Sequence, residues 1–387
     1  MTAKAYITDI ASFLPNAPVN NDEIENVLGM VNGKPSRSRK IVLRNNGILT
    51  RHYAIDPATG GYTHTNAQLG AEAVRALVNK SGFDLNTLEC LCTGTASPDL
   101  GQPAHGFMVH GELGTPPCEV FTAAAVCTSS ATALRYAMLN VEAGQYKNAI
   151  SLGSEFPSRY MRGRNFEPEM EGLVAELEQR PELGFEKDFL RWMLSDGAGA
   201  ALVQAQPNRD RLSLRIDWID LVSFAGDMPV CMYGGGGNKR ADGSMQYWHE
   251  AEDPLDIVRE SFYALKQDAR LLNESVLPAW VDRALIPIAR RRGLRPEDVT
   301  WFLPHYSSEY FRTRLHDRMQ QQGFGIPLDR WFGNLARVGN VGAASIYLIM
   351  DELLYSGRLK VGDRLLCGIP ESARFNFCYM LLTVVGP

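Results

Sequence analysis

An α/β fold made of two related halves is what this 387-residue sequence predicts. Three observations predict it. Short strand-like runs alternate with amphipathic helical stretches along the chain, the pattern of strands and helices sharing mixed or parallel sheets. Two distant segments repeat one another at a single offset of 213 residues. The length also exceeds what one compact core usually holds, so two units sharing a large core are expected.

In chain order the strand-like runs are "AYITDIASFL", "LECLCTG", "CEVFTAAA", "NAISLGSE", "AGAALVQA", "LSLRIDWIDLVSF", "VTWFLPH", "DRLLCGI" and "FCYMLLTVV". Helical periodicity covers 66–79, 129–143, 254–272, 280–292, 309–322 and 343–355. The repeat joins "CTSSATALRYAMLNVEAGQYKNAISLGSE", which starts at Cys127, to "NVGAASIYLIMDELLYSGRLKVGDRLLCGIPE", which starts at Asn340. Each reads as small residues, a helix closed by glycine (Gly144, Gly357), a turn and a strand. "LECLCTGTAS" and "VTWFLPHYSS" match at the same offset, which sets Cys92 opposite His305. A period this long is not that of a solenoid. It divides the chain into residues 1–206 and 207–387. A pseudo-twofold relation between the halves would bring Cys127 and Asn340 together at the centre.

Composition narrows the class. With 45% hydrophobic and 21% charged residues and a net charge of −5, the chain lacks the basic balance of a nucleic-acid-binding protein. No apolar run approaches the roughly 18–20 residues that cross a bilayer. The N-terminus has no basic segment leading into a long apolar stretch, so no secretory signal is expected. Seven cysteines, an odd number without a CxxC pair, suit a reduced cytoplasmic protein with no zinc or dithiol site.

The chemistry sits on the repeat. Cys127 falls at the start of a helix, where the dipole and unpaired N–H groups would favour a thiolate and lower the thiol pKa. His305 ends a strand and Asn340 opens the partner helix. Such a trio can form a thioester site, in which Cys accepts an acyl group while neutral His and Asn donate to a carbonyl gaining charge. A lone cysteine is more often a small buried hydrophobe. The repeat-related His and Asn make Cys127 the nucleophile and leave the other six cysteines to packing.

These stretches, "AAAVCTSSATAL", "SDGAGAALV", "LPHYSSEYF" and "GNVGAAS", resemble in order and context the thiolase superfamily, and within it the ketoacyl-synthase III type of condensing enzyme. The resemblance implies a five-layer αβαβα fold and a homodimer. It also implies decarboxylative Claisen condensation of acyl thioesters carried on coenzyme A or acyl carrier protein, with no metal or redox cofactor. Cys127 would take the starter acyl group, while His305 and Asn340 bind the carbonyl of a malonyl-type extender. The N–H of Cys127, with the backbone at Gly368 or Ser372, would form the oxyanion hole.

The chain departs from the family in three places. "HYSS" replaces the usual residues after the histidine, and "GIPESARF" replaces the glycine-rich C-terminal loop, where Pro370 has no N–H to give. The 178 residues from Cys127 to His305 are a long interval, and the excess in 158–192 reads as a lid or tunnel wall. "SFLPNAPVNNDEIENVLG", "SRSRKIVLRNNGILTRHYAID", "HGELG" and "PESARF" most resemble a secondary-metabolism branch that joins two β-ketoacyl-type units and cyclises them toward dialkylresorcinol-type rings. Simple starter condensation, ester or amide formation, and a non-catalytic acyl-carrier-binding partner subunit are the alternatives.

Glu155, closing "LGSE", is either a base for ring closure or a satisfied structural carboxylate, and Glu371 poses the same choice. His105 and His110 read as structural, and "YGGGGNKR" as a mobile loop. Arg37, Arg39, Lys40, Arg44 and Arg51 form a basic stretch that would hold the phosphopantetheine arm or steer an acidic carrier protein, or else a solvated face.

Overall fold

The computed structural model describes residues 4–167, 189–240 and 242–387. Thirteen strands are present among them: β1 (Tyr6–Phe13), β2 (Val19–Asn20), β3 (Thr50–Arg51), β4 (Cys90–Thr95), β5 (Glu119–Ala124), β6 (Asn148–Glu155), β7 (Gly197–Gln204), β8 (Ser213–Ser223), β9 (Met232–Tyr233), β10 (Lys266–Gln267), β11 (Trp301–Pro304), β12 (Arg364–Glu371) and β13 (Asn376–Val385). Nine of them run in the order β11-β12-β13-β8-β1-β7-β6-β4-β5. All nine strand-like runs of the sequence are found here.

The order describes two leaves of one design. In the first, β4 pairs in parallel with β5 and β6, and β6, β7 and β1 continue antiparallel. In the second, β11 and β12 are parallel and β13 and β8 follow antiparallel. The counterpart of β5 shrinks to one parallel bridge between Phe302 and Trp331. A two-residue pairing, Tyr6 with Arg215 and Ile7 with Leu214, joins the leaves edge to edge.

Two helices fill the space between the leaves. Ser129–Glu142 lies on β4, β5 and β6 and also touches β8, whereas Ser345–Leu354 lies on β1 and β7 and also touches β11. Their apolar faces share one core with both leaves, including Ala133, Leu134, Ile346, Ile349 and Met350. A second core lies under the helix Asn66–Ser81 on the outer side of the first leaf. The third lies under the helices of residues 269–321 outside the second leaf. Helix, sheet, helix, sheet and helix make the five layers of a thiolase-like α/β fold.

Local chemistry places the central pair. Gly144 and Gly357 close the two repeat helices with φ +73° and +72°, values that suit glycine. The Ser130 hydroxyl donates to the Ala343 carbonyl at 2.6 Å, so residues 213 apart meet where the two helices begin. Beneath them β4 and β6 must be bare. A Cβ on Gly94 would lie 2.4 Å from the Ser129 backbone, and one on Gly153 would lie 2.7 Å from the Ala343 oxygen.

The helix expected over 254–272 does not form. Asp256–Arg259 forms a single turn, Ser261 adopts φ +51°, and a separate helix begins at Ala269 behind Asp268, whose side chain accepts the Leu271 N–H. That helix, Ala269–Leu277, runs through a π-helical stretch, Pro278–Leu285, into Ile286–Arg292. Pro278 and Pro287, which have no N–H for the regular ladder, bracket the widened turns.

Substituting Gly153→Val tests the close approach. Overpacking at a rigid backbone should lower unfolding free energy by at least about 1–3 kcal/mol in urea titration, because a main-chain oxygen cannot rotate away.

Candidate active site

The Ser130–Ala343 contact fixes the beginnings of two helices beside one another, and the chemistry-bearing residues follow from it. Cys127 lies in the turn between β5 and the helix Ser129–Glu142. Asn340 lies just before the short turn Gly342–Ala344 that leads into the second central helix. His305 directly follows β11, its N–H donated to the Gly368 carbonyl at 2.8 Å. Cys127, His305, Asn340, Glu155 and Ser372 all line one cavity of about 680 Å³. Its remaining wall is mostly apolar. The first half supplies Pro98, Leu100 and Val126, and the second supplies Leu272, Val276 and Trp280.

Asn340 is held from several directions. Its N–H donates to Met193 O at 2.9 Å, and its carbonyl accepts from Ser195 N at 2.8 Å. Its Oδ1 accepts the Gly342 N–H at 2.9 Å, which commits the amide oxygen and leaves Nδ2 as the donor available to a ligand. His305 is buried, and burial alone pulls its imidazole down to about 4. The ring is therefore neutral at pH 7, able to donate from one nitrogen and accept at the other.

Glu155 is buried against the Asn340 turn, where Gly342 at φ +52° leaves no room for a side chain. Its carboxylate accepts from Ala96 N at 2.9 Å, Ser97 Oγ at 2.6 Å and Ala343 N at 3.4 Å. Burial outweighs these bonds and raises it to about 7, so near neutral pH it exists in both protonation states. Sequence reasoning offered a base or a satisfied carboxylate; the structure gives Glu155 the partners of the second at a place open to the first.

The thiol corrects an expectation. Burial pushes Cys127 well above the ordinary thiol value, and the carboxylates of Glu371 and Glu155 push it further. The carboxylate contribution begins just ahead of the helix. Glu371 lies there, accepting from Val126 N at 3.1 Å, Thr128 N at 3.3 Å and the Thr128 hydroxyl. Burial raises Glu371 in turn, while its bonds to Thr128 and Val126 pull it back down.

Other residues of the site separate clearly. Gly368 sits within β12 outside the cavity wall, where a Cβ would press on the Tyr379 and Phe302 rings at 3.0 and 3.3 Å. Of the backbone oxyanion candidates, Cys127 and Ser372 line the cavity and Gly368 does not. Arg51 is fully buried, bonding the Trp192 carbonyl at 2.6 Å and Asn21 Oδ1 at 2.6 Å, so it is a structural strut and no carrier contact. Arg39 is bridged to Asp22 and Glu25 at 2.9 and 3.3 Å. Arg37, Lys40 and Arg44 are exposed.

His105 is buried with Nε2 at 2.8 Å from Ser154 Oγ, and it too lines the cavity. The glycine run expected to be mobile is wall: Tyr233, Gly234 and Gly235 face the cavity, with Gly235 N donating to Phe262 O at 2.9 Å. Tyr160 and Leu190, from the two ends of the 158–192 segment, also line it, while 168–188 lie outside the described residues. All seven cysteines are free thiols. Among the described residues no cluster of three or more His, Cys, Asp or Glu could hold a metal ion, and no helix is long and apolar enough to cross a membrane.

Known proteins are similar to this chain in sequence and in fold. Residues 289–368 match the family described as 3-oxoacyl-(acyl-carrier-protein) synthase III C terminal. The β-ketoacyl-(acyl-carrier-protein) synthase III of Koribacter versatilis is 24% identical over 368 residues, covering 94% of this chain and 93% of its own. That of Rhodobacter capsulatus is 25% identical over 363 residues, covering 94% of each.

Among solved structures, AbyA1, a tetronic acid condensing enzyme, superposes with a TM-score of 0.74 at 20% identity, covering 98% of this chain and 99% of its own. Xanthomonas campestris OleA, solved with lauric acid and lauroyl-CoA, gives 0.72 at 18%, covering 99% and 100%. The chain thus has the thiolase-like α/β fold of these proteins. Along nearly its whole length it is similar to acyltransferases named β-ketoacyl-acyl-carrier-protein synthase III.

Two measurements check the electrostatics. Iodoacetamide labelling of Cys127, followed by peptide mass spectrometry, should be slow at pH 7 and accelerate above the ordinary thiol range. Glu155, raised from 4.5 to about 7, favours the folded state below its unfolded value, and that contribution is lost as pH rises from about 4.5 through 7. Glu155→Gln should remove this loss, so wild type minus variant should change by up to about 3 kcal/mol between pH 4.5 and 8 in urea titrations.

Proposed function

We propose that the chain forms carbon–carbon bonds by decarboxylative Claisen condensation through an acyl thioester on Cys127. The observation that carries this reading is the meeting of Cys127, His305 and the Nδ2 side of Asn340 on one largely apolar cavity between the halves. In the first step Cys127 Sγ attacks the carbonyl of an acyl thioester. The carrier thiol leaves with the cysteine's proton. In the second, a malonyl-type thioester loses carbon dioxide, and its carbonyl oxygen takes up the enolate charge between donors from His305 and Asn340. The enolate carbon then attacks the acyl-Cys127 carbonyl, and the cysteine sulfur departs. A neutral imidazole and an oriented amide suit this task, since donors fixed in a water-poor site need no reorganisation as charge develops.

The finer reading is a two-unit condensation, with ring closure toward dialkylresorcinol-type products in secondary metabolism. It is supported by an apolar wall drawn from both halves, in a cavity of the size that holds a whole ligand. Glu155, on that wall and near pH 7 in its titration, supplies a base for closure. Coenzyme A or an acyl carrier protein delivers the substrates, as the lauroyl-CoA bound to OleA and the names of the curated relatives suggest. Exposed Arg37, Lys40 and Arg44 are the remaining candidates to meet an acidic carrier. The outer edge of β5, which has no neighbouring strand among the described residues, is where a second copy would extend the sheet in a cytoplasmic homodimer.

Intact-protein mass spectrometry tests the reading. With acyl and β-ketoacyl thioesters, wild type should gain one acyl mass and Cys127→Ala none; malonyl carrier protein should then discharge it into a longer or cyclised product. Asn340→Ala should still load but condense about 100-fold more slowly or worse. Failure of every thioester to load Cys127 would put the non-catalytic carrier-binding role in front.

A further inference from the structure

Glu371 ends β12 between two residues that face the cavity, Pro370 and Ser372, and itself turns the other way. Only 7% exposed, its carboxylate reaches the turn that carries Cys127. One oxygen, Oε2, takes all three donors there: the N–H of Val126, the N–H of Thr128 and the Thr128 hydroxyl. Asn376 Nδ2 donates to that hydroxyl oxygen at 2.7 Å, so the Thr128 side chain is held from both sides. The backbone on either side of Cys127 is thereby tied to a strand more than 240 residues away. The Thr128 side chain caps no helix N–H itself, and the carboxylate instead binds the two N–H groups just ahead of the helix Ser129–Glu142.

We propose that Glu371 is the positioning residue of the nucleophile turn, fixing the backbone around Cys127 and setting the negative charge against which that thiol must ionise. The proposal rests on the reading of Cys127 as nucleophile. Its consequence is a resting site with a protonated, slowly reacting thiol, which loses its proton only as an acyl thioester is attacked and the carrier thiol leaves with it. The other titratable groups lining the cavity with Cys127 are Glu155 from the end of β6, His305 after β11, His105, and the tyrosines Tyr160, Tyr233, Tyr263 and Tyr306. Both histidines are neutral at pH 7 and Glu155 is charged only in part, so the negative charge toward the thiol comes from Glu371 and a fraction of Glu155. Because one oxygen receives every donor, Glu371→Gln can keep the geometry through its amide oxygen while removing the charge. Glu371→Ala removes both and strands the buried Thr128 N–H and the half-buried Val126 N–H.

The test is the pH profile of Cys127 alkylation by iodoacetamide, read by peptide mass spectrometry on the full chain, together with acyl loading. Glu371→Gln should alkylate about three- to tenfold faster than wild type at pH 7.5, its profile displaced toward lower pH, with loading retained. Glu371→Ala should lose loading at least tenfold while its thermal melt stays cooperative. A Gln profile superimposable on wild type overturns the proposal, as does an Ala variant that alkylates and loads like wild type. If Glu371→Ala does not fold, the Gln profile decides alone. Alkylation needs no acyl substrate, so a failure of the condensation reading leaves this result intact.

Discussion

Everything in the site depends on how closely two helix starts approach across the centre of the molecule. Ser130 and Ala343 touch through a hydrogen bond, and the strands under them carry glycine because any side chain would meet main chain. Main chain cannot yield as a flexible side chain can. The separation of the leaves, and with it the distance from the cysteine turn to the asparagine turn, is therefore set by backbone contact more than by side-chain packing. The apolar faces around the centre stabilise the arrangement without defining its geometry so sharply.

Around that centre the electrostatics run against the simplest account of a nucleophilic cysteine. The N–H groups just ahead of the helix bind a carboxylate from the far strand. Burial then acts alike on every group in reach: it neutralises His305, lifts Glu155 toward neutrality and keeps the Cys127 thiol protonated. The resting cavity thus holds little mobile charge. That suits apolar acyl chains and reserves strong polarity for the moment when a carbonyl is attacked.

What could be read from the sequence was whatever repeats or has a local signature. The strands, the two central helices, the glycines that end them and the positions of Cys127, His305 and Asn340 all lie in segments whose pattern is self-contained. The helix expected over 254–272 failed because amphipathic spacing there ignores a left-handed Ser261 and the true cap at Asp268. Arg51 looked like part of a basic surface, since nothing nearby discloses that its acceptor is a main-chain carbonyl 141 residues on. The carboxylate behind the cysteine turn escaped for the same reason: Glu371 and Val126 are 245 residues apart, and only the fold brings them together. The sole signal available was a glutamate beside a proline where the resembling family keeps glycines.

The 213-residue separation of the touching pair has a bearing on how the protein is made. At roughly 5–20 residues per second, a ribosome needs roughly 10–40 s after Ser130 emerges to supply Ala343, and longer to supply Glu371. During that interval the first half carries its thiol without the imidazole, amide or carboxylate that belong beside it. Contacts so remote in sequence also close late in folding, since the intervening loop entropy must be overcome before they return any stability. The site therefore exists only on a finished chain, and a nascent or truncated one holds a cysteine with none of its later companions.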